Sequence, residues 1–303
     1  MKNLFAFIFI LLVSCSSNNN GSQQIQKDSP NEGTIYMSVD ESFKPVIDEQ
    51  MKIYKSSFPN SNIIVSYKSE VDCFKDLIQD STRLIIVSRG LTKNEIDYFY
   101  NKLSFHPQFA TVAYDAVAAI LNKDNVDSVF SINDLKKILN GEKKYTVILD
   151  GTNATSTVKF LQDTVLKGAK FGANVVAVTG SGAVIEAIKK TPNAIGFVGN
   201  SWVSNDYDEK QLNNFKQMKL ALIECVKCEE KGTYAKASQA TLMYGQYPLA
   251  RPLFYIVKEN WTGLGTGFTN FLSLERGQLI FRRSCLVPAK INFNKRISSL
   301  KGK

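Results

Sequence analysis

Phe109-Ala-Thr-Val-Ala-Tyr-Asp-Ala-Val-Ala-Ala-Ile-Leu121 is a nearly unbroken run of Val, Ala and Ile, longer than an ordinary strand. A strand of that length is suited to pass between two domains. Upstream of it, short β-rich runs alternate with helical ones. Thr34 to Val39 reads as a strand, and Phe43 to Phe58 as a helix, with Ile47, Met51, Tyr54 and Phe58 at helical spacing. Pro45 lies in that helix's first turn, where a missing N–H costs little, and Ser42 stands where the cap belongs. Ile63 to Tyr67 and Leu84 to Val87 are further strands separated by a helix over Val71 to Gln79, and Thr92-Lys-Asn-Glu95 is a capping box opening a helix that runs to about Leu103.

Downstream the alternation resumes. Ser131 to Leu139 is a short helix closed by Gly141, Tyr145 to Leu149 a strand, Val158 to Leu166 a helix ended by Gly168 and Asn174 to Val178 a strand. The turn Thr179-Gly-Ser-Gly182 then leads into a helix over Ala183 to Lys190 and a strand over Ala194 to Val198. Leu253 to Val257 returns as a strand, and the chain is helical from there to about Ser284. The pattern predicts an α/β fold of two units with mainly parallel strands.

Composition narrows the function. The 303 residues carry 37 Lys and Arg against 28 Asp and Glu, a net charge of +9, with 44% hydrophobic residues, which is ordinary globular stock. One histidine, His106, excludes His-rich metal sites, and any Ser-His-Asp triad would need that ring. His106 precedes Pro107 and reads as a loop residue; Trp202 and Trp261 read as packing rather than a sugar platform. An enzyme, with Cys225-x-x-Cys228 holding a metal as its best argument, ranks last; no enzymatic activity and no cofactor are expected.

The beginning of the chain sets the compartment. Lys2, the apolar run Leu4 to Val13, and Leu12-Val13-Ser14-Cys15 form a secretory leader whose end resembles the lipobox of bacterial lipoproteins. That resemblance implies cleavage before Cys15, lipidation of its thiol, and a membrane-held protein on the periplasmic or surface side of the cell envelope. Ser16 to Pro30 is mostly Ser, Asn, Gln and Gly with almost nothing to bury, a flexible tether. Cys73, Cys225, Cys228 and Cys285 remain in an oxidising compartment, and Cys225-Val-Lys-Cys228 reads as a local disulfide stapling a loop. An exported chain does not meet nucleic acid, so the basic C-terminal stretch (Arg276, Arg282, Arg283, Lys290, Lys295, Arg296, Lys301, Lys303) is read toward lipid headgroups or a raised local anion concentration.

Four turns share one arrangement of strand, hydroxyl- or glycine-rich turn and helix: Ser38 to Ser42, Lys68 to Glu70, Asp150 to Thr157 and Thr179 to Gly182. Such turns lie at the carboxyl ends of strands, where helix N–H groups favour an anion. Each taken alone reads first as a helix cap.

From Gly33 to Pro288 the chain resembles the phosphate-binding proteins of bacterial phosphate ABC importers. The resemblance is carried by Ser42-Phe-Lys-Pro45, Val87-Ser-Arg-Gly-Leu-Thr92, Ala113-Tyr-Asp-Ala-Val-Ala-Ala-Ile-Leu-Asn122, Ile132 to Gly141, Thr191-Pro-Asn-Ala-Ile-Gly-Phe-Val-Gly199, Tyr247-Pro-Leu-Ala-Arg-Pro-Leu253 and Cys285-Leu-Val-Pro288. It implies a two-lobe type II periplasmic binding protein fold, each lobe a mainly parallel sheet with flanking helices, joined by crossing strands and closing around an anion. It further implies a monomer that delivers phosphate to an ABC permease. The expected division is a signal peptide over 1–14, a tether over 15–32, a first lobe over 33–112 plus 245–303 and a second over 113–244.

Carried over by position, the resemblance makes Ser42, Ser69, Ser88, Ser156 and Thr157 ligand-binding. It also exposes departures. The family arginine four residues before the serine of the second-lobe turn is missing from Leu149-Asp-Gly-Thr-Asn-Ala-Thr-Ser-Thr157, and Ser88 stands where a carboxylate would accept the phosphate proton. Arg89 either supplies the missing cation or is a surface arginine, and Asp115 either faces the ligand or bonds backbone at the hinge. Tyr114 and Arg251 divide between ligand contact and hinge packing. Asp40 and Glu41 either stabilise the helix start or line the cleft, where they would repel a dianion unless a proton is shared. Another oxyanion, a small carboxylate, or a surface interaction module on the same fold are the alternative readings.

Overall fold

The computed structural model describes residues 28–151 and 155–291; the expected leader, Cys15, the tether up to residue 27 and the tail beyond 291 lie outside the described residues. In chain order the elements are β1 (Gly33–Asp40), a 3-10 turn (Glu41–Phe43), α1 (Lys44–Ser57), β2 (Ser61–Lys68), α2 (Glu70–Ile78), β3 (Thr82–Val87), α3 (Lys93–Leu103) and β4 (Gln108–Asn122). They continue with β5 (Val129–Phe130), α4 (Ile132–Leu139), β6 (Thr146–Leu149), α5 (Ser156–Thr164), β7 (Val175–Ala177), α6 (Ser181–Lys190), β8 (Ala194–Gly199) and a 3-10 turn (Asn200–Trp202). The remainder is α7 (Glu209–Asn214), β9 (Met218–Leu220), β10 (Leu222–Glu224), β11 (Tyr234–Ala235), α8 (Gln239–Met243), β12 (Ala250–Val257), α9 (Leu264–Ser273), α10 (Glu275–Arg283) and β13 (Val287–Pro288).

One sheet path, β2-β1-β3-β12-β4-β8-β6-β7, runs through both halves. Its outer parts are parallel, β2 with β1 and β1 with β3 in one half, β8 with β6 and β6 with β7 in the other. The middle is antiparallel, because β4 pairs with β12 toward one half and with β8 toward the other. The long strand anticipated at 109–121 is therefore the crossing strand. Leu84, Ile85, Ile86 and Val87 are all fully buried, as expected for a parallel strand covered on both faces.

Two cores flank the crossing. Ala113 packs in the first with Met37, Val39, Phe43, Tyr54 and Phe268, whereas Ala116 to Leu121 pack in the second with Val147, Leu149, Val184 and Phe197. The return passes later than the expected boundary at 245. Tyr247 and Leu249 still belong to the second core, Leu253 to the first, and the Tyr247 hydroxyl donates to the Val117 carbonyl at 2.9 Å. The crossing thus lies at Ala250 to Pro252, because the apolar Tyr247 and Leu249 are drawn into the second lobe ahead of the strand.

Two local expectations are corrected. Residues 28–32, assigned to the tether, are held on the first lobe: Asp28 pairs with Arg83 at 2.7 and 2.9 Å and accepts the Leu264 amide at 2.6 Å. Ser42 is not a cap: α1 has Phe43 at its N-cap with no side-chain cap bond, and Asp40 caps the preceding 3-10 turn instead, its carboxylate accepting the Ser42 amide at 2.9 Å. The Thr92–Glu95 capping box forms, and Cys225 and Cys228 are disulfide-bonded between β10 and β11. Among the described residues no helix is long and apolar enough to cross a membrane.

Candidate ligand site between the lobes

The site is assembled where the two crossing strands meet the ends of β1 and β6. Arg251 on β12 lies opposite Asp115 on β4 in register, and its Nε and Nη2 donate to Asp115 Oδ2 at 3.2 and 3.0 Å. Both residues are essentially inaccessible, at 1% and 0% exposure, so the pair is a buried one. The guanidinium keeps two further donors in use. Nη1 reaches Ser156 Oγ at 2.9 Å and Nη2 reaches Ser42 Oγ at 3.0 Å, while the plane of the group lies over the Phe43 ring.

Ser42 and Ser156 come from different lobes and meet each other at 3.2 Å. Ser42 Oγ also donates to Asp40 Oδ1, whose second oxygen accepts the Ser156 amide at 3.3 Å. Asp40 therefore sits on the N-terminus of α5, the position where helix N–H groups attract an anion. Thr155 is the N-cap of α5, donating its hydroxyl to Asp150 at 2.7 Å. Thr157, next to Ser156, is fully buried, and its Oγ1 has no hydrogen-bond partner among the described residues.

Glu41 repeats the arrangement at the neighbouring helix. Its carboxylate accepts the Ser181 amide at 3.1 and 3.2 Å and the Ser181 hydroxyl at 2.7 Å, occupying the head of α6. Gly180 before it has φ +82, and a Cβ there would stand 3.1 Å from the Glu41 carboxylate, so glycine is required both by backbone and by space.

The cluster is rich in carboxylates. Burial raises Glu41 above the usual carboxylate range against the opposing pull of its Ser181 hydrogen bonds, and burial also raises Asp150, to about 6. Burial raises Asp115 although Arg251 opposes it, and burial followed by the Asp40 charge raises Glu70. Common to all four is loss of water around a charge, which hydrogen bonds and nearby cations do not fully offset.

The residues expected to bind ligand separate into two groups. Ser42, Asp115 and Ser156 share the Arg251 network, with Thr157 adjoining Ser156. The other three lie apart from it. Ser69 is the N-cap of α2 and donates to Asp72 at 2.7 Å. Ser88 gives both its amide and its hydroxyl to the buried Glu70, at 2.7 and 2.6 Å. Arg89 forms a two-pronged pair with Glu95, both bonds 2.8 Å, and lies over Phe74. The guanidinium of the site is thus Arg251, and Glu70 places a carboxylate beside the Ser88 position where one was missing. Arg251 is one of the residues divided above between ligand contact and hinge packing, whereas Glu70 is not among the expected site residues. The signal available for Arg251 was a charged residue inside a strand otherwise bound for burial.

A family model described as PBP superfamily domain matches residues 25–275. The chain is 23% identical to the phosphate-binding protein PstS of Borreliella burgdorferi over 92% of this chain and 95% of that protein. A Clostridium perfringens protein assigned as a phosphate ABC transporter substrate-binding protein, solved with bound phosphate, superposes with a TM-score of 0.69 at 21% identity, covering 85% of this chain and all of that one. An ABC-type phosphate transport receptor of Vibrio cholerae gives 0.61 at 16% identity, covering 84% of this chain and all of that one. Two lobes on one crossed sheet, and a match over most of the length, make this chain a member of the PBP superfamily.

Proposed function

We propose that this protein is an extracytoplasmic substrate-binding protein that captures a small oxyanion, inorganic phosphate first, between its lobes and passes it to an ABC permease. It is held to the membrane through lipid on Cys15 and carries out no covalent chemistry. One observation carries the reading. A buried arginine at the crossing reaches a hydroxyl from each lobe, Ser42 and Ser156, at the head of a helix whose next residue, Thr157, holds a buried hydroxyl with no partner.

These are the donors a tetrahedral oxyanion needs: a guanidinium fork, hydroxyls without net charge, and helix N–H groups. Phosphate fits the carboxylates better than sulfate does, because a protonated phosphate donates a hydrogen bond to Asp40, whereas sulfate at neutral pH has no proton to give and meets only repulsion. The named relatives, phosphate-binding proteins, support the same ligand class. Calorimetric titration of the phosphate-free domain tests it, with heat on adding phosphate expected and none in Arg251→Met.

A second reading has an observation of its own. Asp40 and Glu41 already occupy the heads of α5 and α6, as befits a surface interaction module that kept the fold and closes on its own side chains. It predicts a folded domain that binds no oxyanion and tolerates Thr157→Val in every assay.

A further inference from the structure

The carboxylates and the arginine of the site do not contribute equally to holding the lobes together. Glu41 belongs to the first lobe, and its three hydrogen bonds all go to Ser181, the first residue of α6 in the second lobe. Alongside, between α1, α6 and the Asn200–Trp202 turn, lies a cavity of about 440 Å³ lined by Lys44, Pro45 and Asp48 on one side and Gly182, Ile185 and Trp202 on the other. The lobes therefore do not meet there through continuous packing. Glu41 bridges them beside an open gap, and Gly180 gives it room to approach.

We propose that Glu41 is an interlobe latch: an anion built into the first lobe that seats on the N-terminus of α6 and closes the cleft independently of which ligand the cleft takes. A carboxylate accepting helix N-terminal donors is a favourable charge-assisted contact, stronger than one between neutral groups. Asp40 and Ser42 also reach Ser156 across the lobes, but they do so against Arg251 at the crossing, whereas Glu41–Ser181 stands beside the cavity, so losing it loosens the second lobe there and lets it swing about the contacts at the crossing strands. An external anion that reaches α6 must first displace Glu41, so the latch also competes with capture at that helix.

Small-angle scattering of the described domain, dialysed free of phosphate and sulfate, tests the latch. Wild type should scatter as the closed two-lobe molecule. Glu41→Ala should expand to a larger radius of gyration. Ser181→Pro provides an independent test: proline is accommodated at the first position of a helix, and it removes both the amide and the hydroxyl that Glu41 uses. Circular dichroism identifies variants that are folded, and the latch prediction is read on whichever of the two remains folded. Expansion in a folded variant supports the latch. An already expanded wild type, or a folded variant with the wild-type radius, overturns it. Phosphate titration of the same samples is a separate reading: no binding in any of them removes phosphate capture and leaves the latch standing or falling on the scattering alone.

Discussion

Arg251 and Asp115 face each other across the two strands that join the lobes, 3.0 Å apart and closed to solvent, so the hinge and the site's cation are the same residue. Removing one partner of a buried ion pair strands the other charge. Arg251→Ala is therefore expected to lose about 3–5 kcal/mol in urea unfolding. Arg251→Lys should recover only part of that, since one ammonium does not replace a fork that reaches Asp115, Ser42 and Ser156 together. Full recovery by lysine would show that charge alone matters there.

Thr157 separates structure from binding. Its hydroxyl is buried with no partner, so Thr157→Val deletes no hydrogen bond. The variant should be as stable as wild type, or more stable by about 1 kcal/mol, because an unsatisfied buried polar group is removed. Phosphate affinity should nevertheless fall. A stability loss comparable to that of a core truncation would mean that the hydroxyl is satisfied in the folded protein.

Asp150 gives the pH dependence a sign. Its folded value is raised to about 6 by burial, so the native state holds a proton that the unfolded chain releases near pH 4. Its contribution is fully present below about pH 4 and is lost as pH rises through about 6, a change on the order of 3 kcal/mol. Asp150→Asn keeps an acceptor for Thr155 and does not titrate. It should be more stable than wild type at pH 7, the difference shrinking toward pH 4 in chemical unfolding. Glu95 and Asp134 behave oppositely, with hydrogen bonds to Arg89 and Lys143 overcoming burial and holding both near 2, so their stabilisation is present above about pH 4 and is lost as pH falls toward 2.

Arg89→Ala should leave phosphate binding unchanged. Its guanidinium is committed to Glu95 and Phe74 on α3 and α2, and the loss should appear as a small decrease in stability typical of a partly exposed pair. A calorimetric loss of binding in this variant would return Arg89 to the site.

What was legible in the sequence was local. The apolar run at 109–121 announced a crossing strand because no charged residue except Asp115 interrupts it, and Thr92 with Glu95 announced a capping box because both partners lie within one turn. The hydroxyl turns at Ser42 and Ser156 were also readable. What joins them was not. Arg251 meets Ser42 and Asp115 from far along the chain, as Glu41 meets Ser181, and nothing in the periodicity of any segment encodes those pairings. Ser42 reads as a cap because hydroxyls favour that position, but a 3-10 turn capped by Asp40 precedes α1, and the Ser42 hydroxyl turns to Asp40 and Arg251 instead. The loss of the family arginine was visible as an absence, whereas Arg251, the guanidinium of the candidate site, stands on β12 and meets Ser156 only once the strands are paired.

The most direct test of anion capture is thermal unfolding of residues 28–291, dialysed free of phosphate, against added phosphate and sulfate. A ligand at about a thousand times its Kd adds roughly 4 kcal/mol to stability, which raises Tm by several degrees. The account predicts an upward shift with phosphate, little with sulfate, and a smaller phosphate shift in Thr157→Val. An unchanged Tm for folded wild type with every oxyanion would contradict it.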